Sequence, residues 1–332
     1  MKSIFNEQRT IRLIINGRAK LTGRLKRLLR QTVRDLSERN VTVETLVTEL
    51  PSDAERFAGE VCAESHVAVV AVGGDGTLHQ VINGVMKQSQ GARSEVAVGV
   101  IPAGTANDFA GSLGISSRNV CRTLSALSDE RMRWLDLGRV QSRYFVNFAS
   151  GGFGAEATRS LAPWLKSVYG IEAYFLNGVR QILKSPPQQA SFQSNDWHWE
   201  GRCLTFALGN GRQAGGGCVL CPKAQLDDGE LDLCIIPARV EILNLLSSWV
   251  NGPMAVVRQL LSLQNPLRHG VIGYILEYYK ELVVRKRISF LDIRLDRELS
   301  LNLDGEPIEP RNNFHIEVMP QKLKFLYPQK ER

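Results

Sequence analysis

The sequence predicts two domains of different class, a parallel α/β domain followed by an antiparallel, strand-rich, sandwich-like one. Three observations predict this. Up to about residue 133, short β-branched apolar runs alternate with stretches of helical apolar spacing, as in a parallel sheet covered by helices. From Trp134 onward, short alternating runs appear at 143–149, 203–209, 231–236, 288–295, 299–303 and 314–319. Such alternation belongs to half-buried antiparallel strands. The length, 332 residues, also exceeds what one ordinary core needs. The boundaries that follow are 1–133 and 134–320, with 321–332 returning to the first domain through a strand at Lys322–Tyr327.

Each element has its own reason. Ile11–Ile15 is an apolar strand stopped by Asn16-Gly17, and a basic amphipathic helix follows over Leu21–Arg39. Val41–Thr48 reads as a second strand and Asp53–Glu64 as a second helix. Val67–Val72 is apolar on both faces, as a buried parallel strand must be, and empties into Gly73-Gly74-Asp75-Gly76-Thr77. Leu78, Val81, Ile82, Val85 and Met86 then recur at helical spacing. Val96–Ile101 is the fourth strand, closed by Pro102. In the second domain a helix is predicted over Val168–Leu183, ended by Pro186-Pro187. A longer helical region, Glu241–Lys280, breaks near Gly252-Pro253 and Asn265-Pro266. No low-complexity linker separates the domains, so they are expected to enclose one cleft.

Composition narrows the function classes. With 43% apolar and 23% charged residues the chain reads as a soluble globular protein, and no run is long and apolar enough to span a membrane. The first residues lack the apolar core of a signal peptide, and six scattered cysteines fit reduced thiols; a cytoplasmic protein is expected. The net charge of +7 is concentrated in Arg12, Arg18, Lys20, Arg24, Lys26, Arg27, Arg30 and Arg34, all ahead of Asp35. Such a cluster suits phosphates or anionic headgroups, although a solvated helix face is the ordinary reading for most of it. No zinc-finger spacing or RNA-binding aromatic motif accompanies the charge, so nucleic acid is not an expected partner.

Chemistry concentrates at two strand ends. Glycines after a buried strand let backbone N–H groups approach an anion, and the following helix N-terminus adds a favourable dipole. The next strand ends in Pro102-Ala103-Gly104-Thr105-Ala106-Asn107-Asp108-Phe109, which again supplies Gly, Thr, Asn and Asp. One such turn is only a tight loop with helix caps; two on neighbouring strands bring two hydroxyls and two carboxylates to one crevice.

These segments resemble the diacylglycerol kinase catalytic-domain family, especially its bacterial YegS-type lipid kinases. The resemblance continues through Leu135-Asp136-Leu137-Gly138, Tyr144–Gly154, Gly209-Asn210-Gly211 with Gly215–Gly217, Pro222–Asp232 and Asp304-Gly305-Glu306-Pro307. It implies an NAD-kinase- and diacylglycerol-kinase-like nucleotide domain, a β-rich lipid domain and an active site in the cleft between them. The implied reaction moves the γ-phosphoryl group of ATP, with Mg2+, to a lipid hydroxyl of diacylglycerol or phosphatidylglycerol type at the inner face of the membrane. Asn16, Thr48, Gly73, Gly74, Asp75, Gly76, Thr77, Leu78, His79, Gln80 and Thr105 match its nucleotide contacts. Glu306 matches the proton acceptor, with Asp304 as its rival, and Asp75 counts with it as catalytic. Asp75, Asp108 and Asp136 match a magnesium-linked acidic network. Gln225, Asp228 and Glu230 match a separate metal site, Asp228 through its side chain and the others through carbonyls.

Two departures stand out. Asn16-Gly17 replaces the family's Asn-Pro, which loosens that loop, and His79-Gln80 replaces Asn-Glu, which removes a carboxylate. The competing readings are an NAD kinase-like enzyme and a nucleotide- or lipid-binding pseudokinase. Cys218-Val219-Leu220-Cys221 has no second pair, so packed thiols are expected there, and Trp197-His198-Trp199 is expected to pack.

Overall fold

Strand β1 (Arg9–Asn16) pairs in parallel with β2 (Val41–Thr48) on one side and β3 (His66–Gly73) on the other, and β3 pairs in parallel with β4 (Ala97–Pro102). This computed structural model describes residues 9–38, 40–116, 132–152, 186–214, 218–251 and 280–327. The chain divides into two units, Met1–Leu137 with Met319–Arg332, and Gly138–Val318.

In the first unit the register sets Asn16 beside Thr48 and Gly73 beside Pro102, so the carboxyl ends of four strands lie along one edge. Ile11, Leu13, Val70, Val72 and Ile101 form the core with Leu25, Leu29 and Leu36 of helix α1 (Gly23–Ser37). Thr22 caps α1 by accepting the Leu25 N–H at 3.2 Å. Helix α2 (Asp53–Gly59) is shorter than its sequence suggests, because the chain turns toward β3 with Ser65 and His66 both donating N–H to the Cys62 carbonyl. Helix α3 (Asp75–Gln88) buries Leu78, Val81, Ile82, Val85 and Met86, the predicted apolar stripe. A short helix that periodicity does not announce, α4 (Asp108–Ser112), follows β4. Phe109 of α4 meets Phe325 edge to face, 5.4 Å between centroids.

Strand β5 (Met132–Val140) leads into the second unit. There β6 (Arg143–Phe145), β7 (Phe148–Gly151), β8 (Gln188–Ser194) and β9 (Trp197–Gly209) are followed by the short pair β10 (Gln213–Ala214) and β11 (Cys218–Val219). Then come β12 (Leu231–Pro237), helix α5 (Val240–Asn251), β13 (Val284–Ile288), β14 (Phe290–Leu299), β15 (Asn302–Leu303), β16 (Glu306–Pro307) and β17 (Arg311–Leu326). Neighbouring strands of this unit pair antiparallel, and Phe145, Phe192, Phe206, Leu208, Leu233, Leu291, Ile293 and Ile316 form its core. The two predicted segments 314–319 and 322–327 belong to the single strand β17, whose end pairs in parallel with β4 through Phe325 and Val98. The predicted helix at 168–183, residues 252–279 of the longer helical region and Gly215–Gly217 lie outside the described residues.

Candidate active site

The ends of β1, β2 and β3 are tied by side chains. Asn16 donates from Nδ2 to Thr77 Oγ1 at 3.0 Å and accepts the Arg18 N–H at its Oδ1 at 2.9 Å. The Gly17 N–H donates to Thr48 Oγ1 at 3.2 Å, a bond a proline could not make. The Asn16-Gly17 loop is therefore held at three points rather than loosened by its glycine, a correction to the sequence reading.

The Gly73–Thr77 turn is a strand-to-helix junction in which Gly74 is the N-cap of α3. Lacking a side chain, Gly74 gives no cap bond to the first-turn amides of Gly76 and Thr77. Asp75, half-buried, spans to the second turn: its Oδ2 accepts the Asp108 N–H at 3.2 Å and its Oδ1 the Phe109 N–H at 3.3 Å. One carboxylate thus fastens the start of α4 to the start of α3. Asn107, at φ 52°, closes the second turn by accepting the Gly104 N–H at 3.0 Å and donating to the Gly104 carbonyl at 2.7 Å. The Ala103 N–H reaches the Gly73 carbonyl at 2.8 Å.

The two turns meet backbone to backbone at Gly104. A Cβ there would lie 2.4 Å from Gly74 Cα and 2.9 Å from Asn107 Oδ1. Gly104→Ala is therefore expected to cost about 1–3 kcal/mol by forcing the turns apart, read as a lower urea midpoint at unchanged slope. An unchanged midpoint would mean that the turns separate freely.

The other nucleotide-contact candidates divide by exposure. Thr105 is exposed and Gln80 half-buried, whereas Leu78 and His79 are 1% and 5% exposed. The helix begins at Asp75, so positions 78 and 79 point into the unit, and His79 Nε2 lies 3.3 Å from Asn83 Nδ2. The side chains of Leu78 and His79 are packing positions, which narrows the stretch able to face a ligand. Asp108 is buried next to Asp75, and Asp136 is fully enclosed, accepting the Gln321 N–H at 2.7 Å.

In the second unit Asp304 and Gly305, both at positive φ, form the turn between β15 and β16, and Glu306 opens β16. The Asp304 carboxylate accepts three backbone N–H groups, Val146 at 2.8 Å, Asn147 at 2.9 Å and Phe148 at 2.8 Å. Gly305 donates its N–H to Asn302 Oδ1 at 2.8 Å. Among the described residues nothing pairs with the half-buried Glu306 carboxylate. Of the two rival acids, Asp304 is committed to holding the 146–148 loop.

The acidic loop before β12 has an occupant that sequence reasoning missed. Arg287 of β13 directs its guanidinium onto Asp228 Oδ2, lies 2.7 Å from Glu230 Oε2 and reaches Asp232 Oδ2 at 3.9 Å. Burial pushes the Asp232 carboxyl up, and the Arg287 charge pulls it back. Gln225 is exposed. The only signal in the sequence is the basic run Arg285-Lys286-Arg287, which gives no hint that it faces this loop until β12 and β13 are paired. The Cys221 thiol is buried, donates to the Asp232 carbonyl at 3.2 Å and is held well above an ordinary thiol by burial, so it packs rather than reacts.

Comparison with known proteins agrees with this architecture. The diacylglycerol kinase catalytic domain matches residues 10–140, and the YegS C-terminal NAD kinase beta sandwich-like domain matches residues 148–264. The chain is 36% identical over 282 residues, 85% of its length and 83% of the relative's, to a "Probable lipid kinase YegS-like" of Pseudomonas aeruginosa. It is 35% identical over 321 residues, 96% of each protein, to a protein of the same name from Xanthomonas euvesicatoria. A crystal structure of a diacylglycerol kinase from Bacillus anthracis shares the fold, with TM-score 0.65 and 17% identity over 96% of each chain. A parallel α/β unit with two linked strand-end turns, a β-rich unit with an Asp-Gly-Glu turn and relatives aligned along nearly the whole chain place this protein in the family of YegS-like lipid kinases.

Proposed function

We propose that this chain transfers the γ-phosphoryl group of ATP, as its magnesium complex, to the hydroxyl of a lipid of diacylglycerol or phosphatidylglycerol type. The observation that carries the reading is Asp75, whose carboxylate joins two glycine-bearing turns at the carboxyl ends of adjacent parallel strands, beside the uncapped first turn of α3. Amides at a helix start favour phosphate, and magnesium favours a few hard oxygen ligands while keeping water in its shell. Asp75 and Asp108 are acids of that kind, and Asp136, fully enclosed, is the third acid of the implied network and accepts the Gln321 N–H. When bound, magnesium neutralises charge on the β- and γ-phosphates.

The residues of this chain then divide the work. The amides of Gly74, Gly76 and Thr77, with Asn16, Thr48, Gln80 and Thr105, hold the nucleotide. Glu306 accepts the proton of the lipid hydroxyl as its oxygen forms a bond to the γ-phosphorus and the bond to ADP breaks. An acid without a partner among the described residues suits that role better than Asp304, which accepts three N–H groups. Because His79 is a packing residue, only Gln80 of the two departures bears on the nucleotide, and its half-buried amide keeps hydrogen-bonding capacity where the family has a carboxylate.

The test incubates the protein with labelled ATP, magnesium and a panel of diacylglycerol, phosphatidylglycerol, ceramide and sphingoid bases. Label is expected in a glycerolipid. Label in no lipid, with phosphorylation of NAD, would overturn the reading in favour of an NAD kinase.

A lipid acceptor brings the protein to the cytoplasmic face of a membrane, and no described helix is long and apolar enough to cross one. The exposed face of α1 carries Arg24, Lys26, Arg27, Arg30 and Arg34. At about 1 kcal/mol per basic residue near an anionic surface, replacing Arg24, Lys26 and Arg27 by Gln is expected to weaken adsorption to phosphatidylglycerol vesicles roughly a hundredfold. Unchanged adsorption in a sedimentation assay would return the patch to an ordinary solvated face.

A further inference from the structure

The acidic loop is where the resemblance implies a metal, and the side chains there do not fit one. Asp228 is the only residue of the implied set expected to give its side chain. Its Oδ1 accepts the Glu230 N–H at 3.2 Å and its Oδ2 holds the Arg287 guanidinium. A cation ligated by that carboxylate would have to displace Arg287 or sit against its positive charge. Among the described residues no three acidic, histidine or cysteine side chains converge as a metal cage.

We infer that Arg287 is the resident cation of this loop and that the loop keeps its shape without a metal ion. Asp228 and Asp232 side chains are only 17% and 15% exposed, and a carboxylate with so little water around it is stabilised by a counter-charge beside it. Glu230, 41% exposed, adds little by comparison. Topology supplies the counter-charge. Antiparallel pairing sets Arg287 of β13 directly opposite Asp232 of β12, and the loop entering β12 turns at Gly229, φ 74°, so that Asp228 and Glu230 meet the same guanidinium. A planar fork of donors suits several carboxylates at once, which a lysine ammonium does less well. Arg285, also on β13, bears on Asp232 as well, so the neighbourhood is already rich in fixed positive charge. This role for Arg287 is independent of which lipid is phosphorylated.

The experiment titrates the chelator-treated full chain with Ca2+, a probe for hard oxygen sites, by calorimetry and by thermal melting, without nucleotide. The parent protein is expected to show no saturable Ca2+ binding that depends on Asp228. Arg287→Met removes the charge and is expected to lower Tm and to open a one-to-one Ca2+ site, with Ca2+ restoring part of the lost Tm. Adding Asp228→Asn to that variant should abolish the binding. Saturable Ca2+ binding by the parent that Asp228→Asn removes would overturn the inference, as would an Arg287→Met protein that melts like the parent and binds no Ca2+. Should Arg287→Met fail to fold, the comparison of the parent with Asp228→Asn still decides. Because no phosphoryl transfer is measured, failure here is distinct from failure of the kinase reading.

Discussion

Glu306→Gln is expected to leave the fold and ATP binding intact while lowering lipid phosphorylation by about 10^2–10^4-fold, the range over which a positioned base contributes. The substitution keeps size and polarity and removes only the ability to take a proton. The structure makes it a clean test, since the Glu306 carboxylate has no partner among the described residues whose loss would confuse the result. Single-turnover rates with the preferred glycerolipid, alongside nucleotide affinity and Tm, separate the outcomes. Near-parental turnover would mean that another group accepts the proton, and a lowered Tm would assign Glu306 a structural part instead.

Asp304→Asn should behave in the opposite way. Asn tolerates the left-handed backbone at φ 52°, so the change reads the acceptor and not the turn. It replaces a charged oxygen with an NH2 that faces backbone N–H donors, on a loop whose Val146, Asn147 and Phe148 are all buried. Lost charge-assisted bonds and an unsatisfied buried N–H are together expected to cost about 3 kcal/mol. Urea unfolding would show this as a lower midpoint, with activity falling in proportion to the folded fraction. A full loss of turnover at unchanged stability would reverse the roles of the two acids. The pair of variants therefore separates base from anchor across a turn where sequence leaves both open.

Much of the first unit was legible because its signals are local. A parallel strand buried on both faces must be apolar throughout, and Val67–Val72 is; the end of that strand is punctuated by glycine within one residue of where β3 stops. The stripe Leu78, Val81, Ile82, Val85 and Met86 likewise marks α3 unaided. Less legible was α4, only five residues long and held by Asp75 and by Asn107 rather than by an apolar stripe of its own. The same locality misled at Gly17, where a residue that loosens an isolated chain instead donates the N–H that binds Thr48.

By itself, the sequence determined the two-domain class, the glycine-bearing turns at the strand ends and the acids those turns carry, since apolar period and turn residues act over a few neighbouring positions. Only the tertiary structure decided what each acid touches. Asp75 meets amides 33 and 34 residues away, Asp304 meets amides 156–158 residues away, and Asp228 meets a guanidinium 59 residues away. Those partners are set by strand pairing and register, and a carboxylate reads alike in sequence whether it fastens a loop, balances an arginine or stands ready to take a proton.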